Sequence, residues 1–397
     1  LYLSSFKPVS IFKNQYKKTQ LTFNPRKVLV VLQFTFAIVL IISTLIIRNQ
    51  IVHVQDRDKG YSNVNLIHVD FAGDIERNYE LIKKELLSTG AATSVTKTMT
   101  GITDGGAHTW GLRWKGENPK DTNTTITLYS ADADLIKTSG MQLIAGRDID
   151  IQKYPADSFS VLLNESAVKL MAFKDPIGQI ISRVSGETLH VVGVVRDYVT
   201  GSPYDEIPPT VIQGPGAWFN TMHIKLSPAR PTSENLASAE KIFQKYNPAY
   251  PFDYQFLDQE FARKFENEQR TKALAGLFAA LAICISCLGL FGLSAYMAES
   301  RTKEIGVRKV LGASTIGITR LLSFDFLKLV FAALIIASPI AWWFMNQWLQ
   351  DFSYRIHIGA GIFLLAGFIS ISIALVTVSF QSIKAAIANP VKSLRSE

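Results

Sequence analysis

Four stretches of the chain hold no Asp, Glu, Lys or Arg: 28–47, 273–298, 329–349 and 358–380. At ~1.5 Å of rise per residue, a helix of about 20 residues crosses a hydrocarbon core of ~30 Å. A single run of this kind is also what a buried core helix presents. Four of them predict membrane-spanning helices, drawn at 28–47, 273–298, 323–349 and 358–382. Between the first and second the pattern changes. VNLIHVDF (64–71) alternates and is rich in β-branched residues, which reads as a strand. Over 74–90, Ile75, Tyr79, Ile82 and Leu86 recur at helical spacing, Gly90 ends the run, and 92–99 returns to a strand. The same order recurs at 221–227, 233–247 and 252–258, with Ser233 as the helix cap. The two units, 61–100 and 221–258, flank a β-rich stretch, 101–220. This predicts a discontinuous α/β subdomain with a second subdomain inserted. Residues 259–276 contain no breaker, so a stalk helix over 259–272 is expected to run unbroken into the second span, and the first span is expected to continue as a helix towards Gly60. The expected fold class is a multi-pass α-helical membrane protein: four transmembrane helices with a large α+β domain, 48–272, between the first and second.

Charge sets the expected orientation. Charged residues make up 19% of the 397, against about 25% in soluble domains. Lys7, Lys13, Lys17, Lys18, Arg26 and Lys27 precede the first span, Arg301, Lys303, Arg308, Lys309 and Arg320 lie between the second and third, and Lys384, Lys392 and Arg395 follow the fourth. Four spans put these segments on one side, and the positive-inside rule makes it the cytoplasm, leaving the large domain extracytoplasmic. Residues 49–271 hold 23 Lys and Arg against 28 Asp and Glu, while the remainder holds 18 against 5. The net charge of +8 therefore follows from membrane topology, and no nucleic-acid partner is expected. The N-terminal segment, 1–27, carries Ile11, Phe12, Tyr16, Leu21 and Phe23 among its basic residues. It reads either as an amphipathic helix on the inner membrane surface or as a plain positive flank. The tail is 383–397.

The sequence carries none of the familiar signatures of catalysis. There is no G-x-x-x-x-G-K-[ST], and GPGAWF at Gly214 and GLSAY at Gly292 each lack a defining glycine. His53, His68, His108, His190, His223 and His357 are scattered. The acid pairs Asp132/Asp134 and Asp148/Asp150 read as solvated turns, and Asn123 and Asn164 as chance glycosylation sequons. Cys284 and Cys287 form a C-x-x-C inside the second span, where a redox or zinc role is out of place. No ionisable group lies deep in a span, and Asp325 and Lys328 read as an interfacial pair. Ala275, Ala279, Ala282 and Ser286 give the second span a face of small residues suited to close helix packing. Pro339 is expected to kink the third span, whose Trp342, Trp343 and Trp348 suit an interface. No enzyme activity, cofactor or metal is expected of this chain.

The segment 299–322 stands apart. As a helix it aligns Val307, Val310, Leu311, Ser314 and Ile318 in one stripe, with Glu304 placed favourably before Arg308. Periodicity leaves two readings open, a docking helix on the membrane surface and a loop that only fixes topology.

ESRTKEIGVRKVLGAS (299–314) resembles the signature of the FtsX-like permease domain in MacB-type (type VII) ABC transporters. ADADLIKTSGMQLIAGRDID, VLLNESAVKLMAFKDPIGQII and HVVGVVRDY resemble that family's periplasmic core domain, and ANPVKSLRSE its C-terminus. The resemblance implies a permease that transmits force, with ATP and Mg held by a separate cytoplasmic ABC ATPase dimer. It assigns ATPase coupling to Glu304, Ile305, Gly306, Arg308, Lys309, Gly312 and Ala313. It further implies a second homologous permease half, membrane lipid, a periplasmic adaptor with an outer-membrane channel, and residence in a bacterial inner membrane with both termini cytoplasmic. Export or extraction of antimicrobial compounds, peptides or lipoproteins is one expectation. FtsX-like control of a cell-wall hydrolase or a signalling partner is the alternative. FKPVSIFK near the start echoes ANPVKSLR near the end, as expected of the C-terminal half of a duplicated eight-span member.

Overall fold

The computed structural model describes residues 25–109, 111–117, 124–214, 218–301, 304, 305, 307, 308, 311 and 313–387. In chain order its elements are α1 (Pro25–Gln55), β1 (Leu66–Asp70), α2 (Tyr79–Ser88), β2 (Ala92–Thr98), β3 (Ala107–Thr109), β4 (Leu112–Trp114), β5 (Ile126–Ser130), α3 (Leu135–Ser139), β6 (Leu143–Gly146), β7 (Ser160–Asn164), α4 (Glu165–Leu170), β8 (Ile180–Arg183), β9 (Thr188–Val195), β10 (Thr210–Gln213), β11 (Thr221–Leu226), α5 (Thr232–Tyr246), β12 (Gln255–Phe256), α6 (Leu257–Arg263), α7 (Glu266–Ser300), α8 (Thr315–Leu349) and α9 (Ala360–Ile387). The chain divides into a helical unit and a sheet unit. The sheet unit is Ile47–Thr271 together with Gln347–His357. The sequence reading placed 350–357 outside any domain; it belongs to the sheet unit.

Four helices in the described residues are long and apolar enough to cross a membrane: α1, α7, α8 and α9. In lipid, apolar side chains gain nothing by leaving solvent, so helix association rests on close packing and on small residues that permit it. The buried face of α7 is Ala279, Ala282, Ser286, Leu290 and Leu293, and that of α9 is Ala366, Ser370, Ala374 and Val378. In α8 it is Phe326, Val330, Ala333, Ala337, Ala341 and Met345, and the helix runs on through Pro339. A Cβ at Gly367 would collide with the Leu334 side chain and one at Gly289 with the Gln33 side chain, so these glycines let side chains of α8 and α1 lie directly on α9 and α7. Cys287 accepts a 3.4 Å contact from the Thr377 hydroxyl, and both cysteines are free.

In the sheet unit, the first sheet has the order β12-β1-β11-β2. Every neighbouring pair is antiparallel. Each helical crossover therefore skips a strand, so the two expected units interleave in one sheet. Ile67, Val69, Val95, Met222 and Ile224 form one face, which buries against Tyr79, Ile82 and Leu86 of α2 and Ala239, Ile242 and Phe243 of α5. Several expected boundaries shift. α2 starts at Tyr79, because Asn247 Oδ1 accepts from Asp74 N at 2.9 Å and Asn78 Nδ2 donates to Tyr246 O at 2.7 Å, which holds 74–78 in turns. α5 begins after Pro231, which fills the cap position expected of Ser233. Only Gln255 and Phe256 of the expected strand 252–258 join the ladder.

The inserted stretch forms an eight-stranded sheet ordered β3-β5-β10-β7-β9-β8-β4, with β6 added on β9. β7 is buried throughout: Val161 and Leu163 face one cluster and Leu162 another, so this sheet is covered on both sides. Of the acid pairs, Asp150 does sit in an exposed turn, accepting from Gln152 N and Lys153 N, but the other three serve the fold. Asp132 is buried, Asp134 pairs with Lys83 at 3.0 Å, and Asp148 accepts from the N–H groups of Ile136 and Ile149 at the start of α3. Burial pushes the Asp148 carboxyl up to about 6. Asn164 is no glycosylation site either. Its amide is fully buried, accepts from Ala167 N and Thr210 N at 2.9 and 2.8 Å, and donates to Pro208 O at 2.9 Å. Asn164→Ala removes this cap and orphans buried backbone groups, and is expected to cost about 2 kcal/mol. A matched drop in the midpoint of denaturant unfolding checks it.

The expected unbroken stalk helix is broken. α6 ends at Arg263, Lys264 N and Phe265 N turn back onto Phe261 O and Ala262 O, and α7 starts at Glu266. The cause is Phe265, 1% exposed and packed on Phe261 with ring centroids 5.4 Å apart. Burying that ring turns the chain out of helical register.

Candidate coupling segment and stalk joint

The segment after α7 is built from the end of that helix. Arg301 N continues the helical bonding to Met297 O, and the Arg301 guanidinium reaches Asp325 of α8 at 3.1 Å. Lys328 stands 3.7 Å from the other Asp325 oxygen. Asp325 is thus the anchor that holds the segment to α8. Ile305 N and Leu311 N bond to Arg301 O and Val307 O, and Ala313 N to Arg308 O. Ser314 closes the segment: its hydroxyl accepts from Gly317 N at 3.2 Å and caps α8.

The seven assigned coupling residues separate. Glu304 and Arg308 are exposed and pair with each other at 2.8 Å. Ile305 is buried, which makes it a packing residue of the helical unit. Ala313 is exposed, and Gly306, Lys309 and Gly312 lie outside the described residues. Of the expected stripe, Val307 and Leu311 are 49% and 80% exposed. Val310 and the Ile318 side chain lie outside the described residues.

A second constellation was missed at the sequence level. Gln50, on the last turns of α1, is fully buried. Its Nε2 donates to Tyr354 O at 2.8 Å and its Oε1 accepts from Ile356 N at 2.9 Å, spanning more than 300 residues. The His53 ring stacks on Tyr354 at 4.6 Å, and Arg57 lies 4.2 Å over the same ring. Arg57 Nη1 also donates to Pro203 O and Asp205 O at 3.1 and 2.8 Å. Burial lowers the Arg57 pKa, against the pull of Tyr354, Asp197 and Asp205. The signal was available: Gln50 interrupts the stripe Ile46, Ile47, Ile51, Val54, and a polar residue inside an apolar stripe calls for a partner.

The helical half of this arrangement has known relatives. Residues 276–390 match the family described as FtsX-like permease C-terminal. They resemble an FtsX-like permease domain. The coupling segment, its Asp325 anchor and α8 all fall within that domain. The macrolide export ATP-binding/permease protein MacB of Aggregatibacter actinomycetemcomitans is 25% identical over 210 residues, which is 49% of this chain and 32% of that protein. The match thus spans about a third of the relative's length. Two solved structures are also similar. The periplasmic region of MacB from Actinobacillus actinomycetemcomitans aligns with 54% of this chain and 98% of its own, at 16% identity and a TM-score of 0.38. The extracellular domain of the noncanonic ABC-type transporter YknZ from Gram-positive bacteria aligns with 49% of this chain and 100% of its own, at 15% identity and a TM-score of 0.34.

Proposed function

We propose that the chain is the permease subunit of a MacB-type ABC transporter, non-catalytic itself, which converts ATP hydrolysis by a separate cytoplasmic ATPase dimer into movement of its sheet unit. It does so from a bacterial inner membrane with both termini cytoplasmic, paired with a second permease half. The work delivered outside serves export or extraction of antimicrobial compounds, peptides or lipoproteins. The observation that carries this reading is the segment after α7. Within an FtsX-like domain, Arg301 and Asp325 hold a short helical piece that presents Glu304, Val307, Arg308 and Leu311 to solvent. An exposed apolar pair flanked by opposite charges suits a partner that is itself cytoplasmic and mobile. The chain is to be purified with MacB-type ABC ATPase subunits from the same genome and reconstituted in nanodiscs. Co-purification and a several-fold rise in ATP hydrolysis are expected. An ATPase that neither binds nor changes its rate refutes the proposal.

A further inference from the structure

The loop between β9 and β10 carries Tyr204, 5% exposed. Its surroundings come from three places in the sheet unit: the end of α1, the start of α7 and the connection between α8 and α9. From the end of α1, Arg57 grips the carbonyls on either side of Tyr204, those of Pro203 and Asp205. From the connection between α8 and α9, Tyr354 N donates to Tyr204 O at 2.8 Å, and the Phe352 ring lies 4.9 Å from the Tyr204 ring. Phe352 in turn packs on Trp348 at the end of α8, at 4.8 Å. At the start of α7, Phe265 meets the Tyr204 ring edge-on at 5.7 Å. The clamp made by Gln50 then ties Tyr354 and Ile356, just before α9, back to α1.

We propose that Tyr204 is the keystone of a junction within the sheet unit, holding the end of α1, the start of α7 and the connection between α8 and α9 as one body, so that displacement of one is felt by the rest and by β9 and β10. The physical case is that the three segments have no single strand or helix in common and meet through one ring and the backbone beside it. Packed aromatic rings and paired backbone groups are bistable contacts that either hold or break, and such elements transmit motion. The junction also has a reserve. The Tyr204 hydroxyl and Glu268 Oε2 of α7 are both buried, and neither has a hydrogen-bond partner. Burial, and then Glu268, push the Tyr204 phenol up, so the hydroxyl stays a donor and the carboxylate is the acceptor it lacks. A rearrangement that joined them would give the junction a second hydrogen-bonded arrangement.

The inference goes beyond the proposed coupling to an ATPase and is tested without one, so either can fail alone. Hydrogen exchange is to be followed by mass spectrometry on the full chain in nanodiscs. Tyr204→Ala is expected to speed exchange about tenfold in three segments far apart in sequence, 50–57, 265–270 and 347–357. Tyr204→Phe keeps the ring and the backbone bonds, and is expected to leave 50–57 and 347–357 unchanged. Phe265→Leu provides the check should Tyr204→Ala fail to fold, because it removes one ring contact at the start of α7. It is expected to raise exchange at 50–57, which Phe265 does not touch. Changes confined to 198–208 in Tyr204→Ala, or to 261–270 in Phe265→Leu, overturn the proposal.

Discussion

Leu311→Glu is expected to weaken the ATPase partner's hold at least tenfold and to abolish its stimulation, while the chain still inserts and folds. The stability side follows from exposure. Leu311 is 80% exposed, so a polar replacement there shifts folding by less than about 0.5 kcal/mol. The binding side follows from its neighbours. Val307 lies one helical turn away, and the two form the apolar centre of a patch edged by Glu304 and Arg308. A carboxylate forced into a desolvated apolar contact costs several times the ~1.4 kcal/mol that a tenfold loss requires. The companion variant exchanges Glu304 and Arg308. Their pair is half-exposed and worth only a few tenths of a kcal/mol to the helix, so swapping the charges keeps the fold and reverses the field the partner meets. Binding by pull-down and ATP hydrolysis in nanodiscs are the measurements. Wild-type stimulation in both variants would remove Glu304, Val307, Arg308 and Leu311 from the coupling role.

The four spans and the insertion of an α+β domain between the first two were legible because each rests on a local pattern: uncharged length for the helices, alternation for the strands. What escaped is non-local. The stalk breaks at Phe265, although no breaker stands between 259 and 276, because the ring finds a buried place against Phe261 and Tyr204. The acid pairs looked solvated because turn composition carries no record of the groups they serve. Asp148 caps α3 and Asp134 meets Lys83 from a different helix. Within the candidate site, helical spacing put Val307 and Leu311 on one side, and both are exposed. The resemblance supplied Ile305 alongside them, yet its side chain points into the helical unit's own packing. Gln50 and Tyr354 are the strongest miss, since their partnership is settled only when the connection between α8 and α9 folds into the sheet unit.

A second large effect concerns the polar face of the first sheet. Glu260→Gln is expected to stabilise the sheet unit by about 1–2 kcal/mol at pH 8, once solvent screening is allowed for, and by less than about 0.5 kcal/mol at pH 4.5. His68 and His223 face each other across β1 and β11, 5% and 0% exposed. Glu260 of α6 lies over them, with Oε2 3.3 Å from His68 Nδ1, and its other oxygen accepts from the Thr103 hydroxyl. Burial holds His68 below its usual value and His223 at about 3. Burial, and then Asp104, push Glu260 up to about 7. With a neutral imidazole and a carboxyl that holds its proton to neutrality, the 3.3 Å approach is not an ion pair, and His68 Nδ1 and Glu260 Oε2 are both buried without a hydrogen-bond partner. A carboxyl whose value is raised on folding favours the fold where it is protonated in both states. That advantage is lost as pH rises from about 4.5 through about 7, as Glu260 ionises beside Asp104. Glutamine keeps the acceptor for Thr103, offers an N–H to His68, and never ionises, so it escapes the alkaline loss. The two histidines remain in both proteins and cancel when variant and wild type are compared at one pH. Opening free energies of β1 and β11 from hydrogen exchange provide the measurement. A variant no more stable than wild type at pH 8 would mean that Glu260 already rests ionised and well solvated in its seat.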